Sequence, residues 1–300
     1  MILKKPFVSI SVTTFNQKNY IKDCLDGILN QRTTFQFEII LGEDQSNDGT
    51  REVCQDYAKR YPEKIKLFLR SRKDVIYING NATGRSNFLE NLKACRGKYI
   101  ALCEGDDYWT DPLKLQKQVD FLEANEDYAI CFHDVLEFHQ NTSFFKDDYM
   151  SMHNKETHFD SLKIARGNFI HTPSVVLRND FEIPNWFLEV VLGDWSLYLL
   201  QLKGRKIKRF KEKMAVYRVH DQGVWTKKEG YESERDMALT AKIILDNLQL
   251  SSEVISALQE FYNQHYNAYI LAKGNGLSQL KRYIKKNIKF IIGYNKWQKY

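Results

Sequence analysis

The first hundred residues alternate short apolar, β-branched runs with segments in which apolar residues recur every three or four positions. The runs predict buried strands, and the recurring positions predict helices that pack through one face. Predicted strands cover 7–13, 37–41, 65–69 and 99–103, and predicted helices cover 20–30, 48–60 and 85–95. This order predicts an α/β fold with a mostly parallel central sheet flanked by helices, because each helix returns the chain to begin the next strand in the same direction.

After residue 107 the pattern changes. Asp111 and Pro112, an N-cap residue and a first-turn proline, predict a helix over 113–123. The other predicted elements are strands at 128–135, 174–177 and 214–219, a helix at 194–202, and C-terminal helices at 235–248, 252–269 and 277–292. The polar and aromatic stretch 139–159 has no clear period, which predicts a loop or lid. We therefore expect one domain over 1–222 and a helical C-terminal region over 223–300.

The composition is typical of a globular protein, with 43% hydrophobic and 27% charged residues and only 5 prolines. These values exclude collagen-like and largely disordered classes. The net charge is +6, yet the stretch 273–300 alone holds eight basic residues and no acidic residue. The positive charge therefore belongs to a basic tail, and the rest of the chain is close to neutral.

The basic tail has the pattern of an amphipathic helix. Its apolar residues recur at helical spacing, with lysine and arginine between them: Leu277, Leu280, Ile284, Ile288 and Ile291. Such helices bind anionic membrane surfaces, at about 1 kcal/mol for each well-placed cation. The same pattern also fits a helix that packs on its neighbours or forms a dimer contact, and the sequence does not reveal the oligomeric state. No nucleic-acid motif accompanies the charge, so we expect no nucleic-acid partner.

The cysteines point to a reducing compartment. Their number is odd, and no two of them form a CxxC pair. They lie among apolar neighbours, which predicts buried thiols: Cys24, Cys54, Cys95, Cys103 and Cys131. No apolar run approaches the roughly 18 residues that span a bilayer, and the apolar start of the chain is too short for a secretory signal. We expect a soluble cytoplasmic protein, which leaves attachment to a membrane surface open.

Two common nucleotide-binding motifs are missing, and acidic residues follow two of the predicted strands instead. The chain has neither GxGxxG nor GxxxxGK[ST], the glycine loops of dinucleotide-binding enzymes and P-loop NTPases. The acidic segments are 43–50 and 104–107, and both fall at carboxyl ends of strands, where ligands bind in open α/β sheets. Carboxylates crowded at one edge repel one another unless a cation offsets their charge, so a divalent metal site is predicted. Capping of the following helices is the alternative, and it fits Asp48 and Asp111.

With these segments in view, the chain resembles a family 2 glycosyltransferase of the GT-A fold, of the type that builds bacterial surface polysaccharides. The matching segments, 8–16, 39–50 and 84–107, occur in the order and spacing of the family. A weaker match continues through Gly193-Asp194-Trp195 to Tyr217-Arg218-Val219-His220. The sequence departs from the family pattern at Thr13, where proline is frequent, and at Glu104, where the DxD motif usually begins with aspartate. The resemblance implies a nucleotide-binding half over 1–110 and an acceptor-binding half over 111–222.

The resemblance also implies roles for residues of the first half. The segment Thr13, Thr14, Phe15 and Asn16 would frame the nucleobase, with uracil packed on the Phe15 ring. Asp44 would accept a hydrogen bond from uracil N3–H, the single donor on that ring, and Arg85 would contact the nucleotide at a phosphate. Glu104 would face the ribose.

The remaining implied roles concern the metal and the chemistry. Asp106 would hold Mn²⁺ or Mg²⁺ against the diphosphate of the nucleotide, Asp107 would be a further ligand or a helix cap, and His220 would be a further ligand or an exposed histidine. Asp194 would be the general base that deprotonates the acceptor hydroxyl for attack with inversion, with a plain helix N-cap as the alternative. Aromatic planes pack on sugar rings, so three residues are candidates for the acceptor face, although each also fits the core: Trp109, His171 and Trp195.

The resulting expectation is an inverting, metal-dependent hexosyl- or N-acetylhexosaminyltransferase. It would move a sugar from a UDP-sugar to a hydroxyl of a lipid-linked or oligosaccharide acceptor, as a peripheral protein on the inner membrane face. A catalytically silent sugar-nucleotide-binding or assembly protein is the alternative. A sugar nucleotidyltransferase would need a glycine-rich loop with a basic residue near the first strand, and 13–16 contains neither.

Overall fold

The computed structural model describes residues 5–221, 223, 228 and 230–275 of the 300-residue chain. The predicted helix 277–292 and most of the basic tail lie outside the described residues. The described strands are β1 (Val8–Thr14), β2 (Phe37–Glu43), β3 (Ile65–Leu69), β4 (Tyr77–Ile78), β5 (Asn81–Ala82), β6 (Tyr99–Glu104), β7 (Tyr108–Trp109), β8 (Tyr128–His139), β9 (Phe144–Asp147), β10 (His158–Phe159), β11 (Val176–Arg178) and β12 (Lys206–Val219). The described α-helices are α1 (Ile21–Leu29), α2 (Thr50–Arg60), α3 (Arg85–Ala94), α4 (Lys114–Ala124), α5 (Tyr149–His153), α6 (Ser161–Ala165), α7 (Gly193–Leu202), α8 (Gly230–Asn247) and α9 (Ser252–Asn275).

A mixed central sheet joins both parts of the domain. Its strand order is β10-β12-β8-β11-β6-β1-β2-β3, with β7 on β12 and β9 on β8, while β4 and β5 form a separate hairpin. Strands β6, β1, β2 and β3 are parallel, β11 is antiparallel to β6 and β8, and β8 is parallel to β12. The predicted α/β fold with a mostly parallel sheet and C-terminal helices is confirmed.

The sheet is covered on both faces, and its central strands β1, β2 and β6 are buried at nearly every position. Alternate residues of a strand point to opposite faces, and the buried side chains divide accordingly into two hydrophobic clusters. One cluster includes Ile10 and Val12 and packs under α1 and α4. The other includes Ile100 and Leu102 and packs under α3, α7 and the α8–α9 pair. The C-terminal helices are thus part of the second core.

The structure corrects the prediction of a loop or lid at 139–159. Strand β8 continues to His139, turns, and pairs antiparallel with β9, and α5 and β10 follow. The rings of Phe138 and Phe145 stack with their centroids 4.4 Å apart, which stabilises this hairpin. Strand β12 also begins at Lys206, eight residues before the predicted start, and its pairing with β8 is interrupted by bulges.

All five cysteines are buried and none forms a disulfide, as predicted. Within the described ranges, no helix has both the length and the apolar composition needed to cross a bilayer.

A buried ion pair joins the two long strands of the second half. Asp134 on β8 and Arg209 on β12 are 4% and 1% exposed, and Arg209 Nη2 donates to Asp134 Oδ2 over 2.9 Å. Arg209 Nη1 also donates to the carbonyl oxygen of Asn154 over 2.7 Å, which holds the segment after α5 against the sheet.

We predict that Asp134→Asn lowers the free energy of unfolding by about 3–5 kcal/mol, because it leaves the buried Arg209 charge without its counterion. Urea unfolding followed by circular dichroism measures the change. The matched control is Asp127→Asn, because Asp127 pairs with Lys206 beside the same two strands but is exposed, and we expect no measurable change. Equal effects of the two substitutions would contradict the prediction.

Candidate active site

The carboxyl ends of β1, β2 and β6 meet at one edge of the sheet. The register places Thr13 opposite Glu104 on one side and opposite Gly42 on the other. The amide of Gly105 donates to the carbonyl oxygen of Thr13 over 2.9 Å, and the amide of Asp44 donates to that of Thr14 over 3.1 Å. These bonds continue the ladder past the strands and bring the two acidic segments to one cleft.

Gly105 allows this close approach. A Cβ atom there would lie 2.7 Å from Thr14 Oγ1 and 2.6 Å from Gln17 Oε1, so any other residue would force the Thr14 and Gln17 side chains to shift. Thr14 Oγ1 donates to Gln17 Oε1 over 2.8 Å. Thr13 and Thr14 thus shape the backbone at the start of the cleft.

Arg72 lies between Phe15 and Asp44 next to this edge, and the three residues together are called the Phe15–Asp44–Arg72 recess. Phe15 is 40% exposed and Asp44 is 4% exposed. Arg72 Nη1 donates to Asp44 Oδ2 over 2.7 Å, and its guanidinium carbon lies 4.1 Å from the centre of the Phe15 ring. Burial raises the pKa of Asp44, and the positive charge of Arg72 opposes that shift. Arg72 is not among the residues predicted from the sequence, because nothing in the pattern after β3 marks this arginine.

Asn16 closes the turn that carries Phe15. Its φ of 51° is in the left-handed region, which asparagine tolerates better than most residues. Its amide donates to Ser46 Oγ over 2.9 Å, and its Oδ1 accepts from the amide of Asn47 over 3.1 Å. Asn16 therefore joins the turn after β1 to the loop after β2, and its side-chain amide is used in that contact.

Three carboxyl groups crowd at the end of β6. Glu104, Asp106 and Asp107 each place one oxygen within 4.8 Å of the others. Loss of solvation in the cleft raises the pKa of Glu104 to about 8, and the charges of Asp106 and Asp194 add to that shift. Burial also raises the pKa of Asp107 well above its usual range, with a further contribution from Asp106. The protein alone thus penalises three negative charges at this place.

The donor atoms in this cluster fit a divalent cation. Within the described part of the chain, Asp106 Oδ1 and Asp107 Oδ2 are buried and have no hydrogen-bond partner. Buried polar atoms are rarely left without a partner, and carboxylate oxygens are preferred ligands of Mg²⁺ and Mn²⁺. His220 Nε2 lies 3.0 Å from Asp106 Oδ2, so the histidine is next to the cluster. The residues present therefore fit the predicted metal.

Arg218 contacts both Asp106 and Asp107. It had no role among the predictions from the sequence. Its own amide donates to Asp107 Oδ1 over 2.8 Å, and its Nε donates to the carbonyl oxygen of Asp106 over 2.8 Å. The remaining guanidinium nitrogens contact Gln140 Oε1 at 2.9 Å and Asp23 Oδ2 at 3.0 Å. Arg218 is 8% exposed, and within the described residues the carboxylate that its guanidinium pairs with is that of Asp23.

Asp194 lies at the start of α7 and contributes to the same electrostatic environment. Its Oδ2 accepts from Asn168 Nδ2 over 2.8 Å, and its Oδ1 accepts from the amide of Trp195 over 2.8 Å. Burial raises its pKa, while these hydrogen bonds and the charge of Arg85 oppose the shift. A carboxylate with a raised pKa is a better proton acceptor at neutral pH. Asn168 was missed because its contact with Asp194 joins positions 26 residues apart.

Arg85 packs directly behind Asp194. Its Nη2 donates to the carbonyl oxygens of Val190 and Val191, both over 2.9 Å, and it is 8% exposed. A Cβ atom on Gly193 would lie 1.7 Å from Arg85 Nη1, so the glycine makes room for the guanidinium. Arg85 thus anchors the segment that precedes Asp194, and burial lowers its pKa to about 10.

The structure corrects two of the three proposed acceptor residues. Trp195 is fully buried and donates through Nε1 to the carbonyl oxygen of Ile164, and Trp109 is 3% exposed and donates to that of Pro173. Both indoles are core residues because their single polar atom is already satisfied inside. His171 is partly exposed, and its ring lies 4.6 Å from that of Tyr217.

Comparison with known proteins places the chain among sugar-transferring enzymes. It is 37% identical over 245 residues to an uncharacterized protein of Mycobacterium tuberculosis, a match that covers 80% of this chain and 68% of the relative. It is 31% identical over 118 residues to a putative teichuronic acid biosynthesis glycosyltransferase, TuaG, of Bacillus subtilis, across 39% of this chain and 42% of that protein.

Solved structures share the fold at low sequence identity. Staphylococcus aureus TarS, residues 1–349, in complex with UDP-GlcNAc matches with a TM-score of 0.63 and 18% identity, over 95% of this chain and 81% of that one. A mannosyltransferase of Pyrobaculum calidifontis in complex with GDP-Man and Mn²⁺ matches with a TM-score of 0.63 and 14% identity, over 98% and 83% of the two chains.

The sequence model described as glycosyl transferase family 2 matches residues 9–183, which include β1, the acidic cluster and the segment up to β11. Together with the GT-A fold, this match identifies the chain as a member of glycosyl transferase family 2.

Proposed function

We propose that this chain is an inverting, metal-dependent transferase that moves a hexose or N-acetylhexosamine from a UDP-sugar to an acceptor hydroxyl. The observation that carries the proposal is the set of buried, unpartnered oxygens on Asp106 and Asp107, within the described residues, beside the Phe15–Asp44–Arg72 recess. The recess would hold the base and the cluster would hold the diphosphate with its metal. The acceptor would be a lipid-linked or oligosaccharide hydroxyl in the synthesis of a surface polysaccharide.

The recess favours uracil. Asp44 presents an acceptor, and uracil has a single ring N–H to donate to it. Phe15 presents an exposed face on which a planar ring can pack. Arg72 now makes both contacts, through its N–H group and its planar guanidinium, so it must shift or share Asp44 when a base enters. Thr13 and Glu104 flank the same edge and would adjoin the ribose.

Asp106, Asp107 and His220 are the residues that would hold Mn²⁺ or Mg²⁺. When bound, the metal supplies positive charge that stabilises the negative charge growing on the departing nucleoside diphosphate. Arg218 keeps the backbone of Asp106 and the carboxylate of Asp107 in place through its two short contacts.

Asp194 would act as the general base. Asn168 and the amide of Trp195 fix the orientation of its carboxylate, and Arg85 holds the preceding segment. The acceptor hydroxyl would give its proton to Asp194 as the oxygen attacks the sugar C1, and the bond from C1 to the diphosphate oxygen would break on the opposite side. His171 remains a candidate for the acceptor side of the cleft.

We further propose that the basic tail attaches the enzyme to the inner face of an anionic membrane. The support is the amphipathic pattern and the eight cations over 273–300. The proposed halves, 1–110 for the nucleotide and 111–222 for the acceptor, would then work beside a lipid surface.

Replacement of Asp106 by alanine should remove a metal ligand. We predict that Asp106→Ala raises the Kd for Mn²⁺ by at least about tenfold and lowers UDP release from UDP-sugars by about a hundredfold or more. Isothermal titration measures the binding, and EDTA treatment of the wild type should lower activity to a similar extent. Asp56→Ala, an exposed carboxylate on α2, is the control. Unchanged Mn²⁺ binding by Asp106→Ala would refute the assignment, and a wild type that binds UDP and Mn²⁺ without turnover would favour a silent binding protein.

Replacement of Asp194 by asparagine should remove the base and leave donor binding intact. We predict a fall in kcat of about a hundred- to ten-thousand-fold with little change in KM for the donor. Because burial raises the pKa of Asp194, the wild-type rate should fall with decreasing pH at a higher pH than an ordinary aspartate would give. Initial rates of UDP release across pH test both points. A rate for Asp194→Asn equal to that of the wild type would exclude the role.

Removal of residues 273–300 should weaken membrane binding. We predict that the full chain sediments with vesicles containing phosphatidylglycerol, less so with increasing salt, and that the shortened chain stays in the supernatant. Vesicles of phosphatidylcholine alone are the control. Equal sedimentation of the two chains with anionic vesicles would contradict the proposal.

A further inference from the structure

Helix α8 carries a buried carboxylate that the proposed chemistry does not use. Asp236 is 2% exposed and lies on the inward face of the helix. Burial of a charged group is costly unless donors surround it. Three donors do so here, because Asn79 Nδ2 lies 3.0 Å from Oδ1, Arg235 Nε lies 3.0 Å from Oδ1 and Lys228 Nζ lies 2.8 Å from Oδ2.

Asn79 belongs to the turn of the β4–β5 hairpin, 157 positions before Asp236. Asn79 and Gly80 both have positive φ, 52° and 80°, the conformation of a tight two-residue hairpin turn. The base of the hairpin is closed by Thr83, whose amide and hydroxyl both donate to the carbonyl oxygen of Ile76. The chain runs from Arg72 in the base recess through this hairpin to Arg85. Asp236 therefore holds the tip of the connection between Arg72, beside the proposed base site, and Arg85, behind Asp194.

One turn further along α8, Thr240 contacts the segment that precedes Asp194. Thr240 is fully buried, and its Oγ1 accepts from the amide of Leu192 over 3.3 Å. Leu192 immediately precedes Gly193 and Asp194. The same face of one helix thus contacts the donor-side hairpin and the segment that bears the proposed base.

From these contacts we propose that Asp236 is a positioning residue for donor binding, which acts through Asn79 to hold the β4–β5 hairpin at the nucleotide side of the cleft. This inference rests on the proposed function, because it concerns the UDP-sugar site. Asp236 does not touch the reacting groups. Its effect should therefore fall on nucleotide affinity and leave the binding of metal alone unchanged.

The test is a double-mutant cycle on UDP affinity, measured by isothermal titration with the full chain and saturating Mn²⁺. The variants are Asp236→Ala, which removes both oxygens that accept from the donors around it, and Asn79→Gly, which removes the amide and tolerates the positive φ. We expect each to raise the Kd for UDP by about tenfold, or about 1.4 kcal/mol, and the double variant to lose no more than either alone. The Kd for Mn²⁺ without UDP should match that of the wild type.

Asp246→Ala is the matched control, since Asp246 is an aspartate on the same helix, exposed and paired with Lys242, and it should bind UDP normally. Wild-type affinity in both Asp236→Ala and Asn79→Gly would overturn the inference and leave the proposed function standing. Losses that multiply in the double variant would overturn it as well, because the two residues would then act independently. If Asp236→Ala fails to fold, the exposed Asn79→Gly variant alone decides, since it must weaken UDP binding. A wild type that binds neither UDP nor GDP would overturn the proposed function together with this inference.

Discussion

Electrostatic repulsion among Glu104, Asp106 and Asp107 is the constraint on which the cleft depends. Their oxygens lie within 4.8 Å of one another, and like charges at this distance in a poorly solvated place favour protonation. The parallel pairing of β1 with β6 fixes the backbone up to Glu104, so the three carboxyl groups start from neighbouring positions. Keeping all three of them charged therefore requires compensating positive charge. A bound divalent cation would supply that charge.

Other parts of the fold place two further groups beside this cluster. The edge of β2 brings Asp44 and the exposed Phe15 to one side, and α7 brings Asp194 to the other. Neither α7 nor the β4–β5 hairpin belongs to the central sheet, so other contacts must position them. Arg85 holds the segment before Asp194, and α8 contacts both elements from the C-terminal region. Helix α8 thus contacts two segments beside the cleft as well as the second core.

The sequence predicted the first half of the fold well because its strands are buried on both faces and its helices have one apolar stripe, as in α1. The prediction of a loop failed at 139–147, where polar and aromatic residues are mixed without a strong period and pairing with β8 determines the conformation. The carboxylates at strand ends were found because the fold itself collects them at one edge. Trp109 and Trp195 were misplaced, since position in a motif does not reveal which way an indole points.

Three further residues escaped the sequence analysis for a shared reason. Arg72, Asn168 and Arg218 act through partners 26 to 195 positions away, and nothing local distinguishes them from surface residues. Their roles emerge only when the tertiary contacts are known. These supporting residues contact and orient the carboxylates of Asp44, Asp194 and Asp107. The side chains that the sequence reveals are instead those that match the family pattern.

We propose that the cluster after β6 holds a divalent cation against the diphosphate of a uridine nucleotide bound at Phe15 and Asp44. A crystal structure of the full chain with UDP and Mn²⁺ tests this proposal. We expect the ion to be bonded to an oxygen of Asp106 and to the diphosphate, with the uracil on Phe15 and its N3–H donating to Asp44. A structure with UDP bound elsewhere, or with the ion away from 104–107, would contradict it.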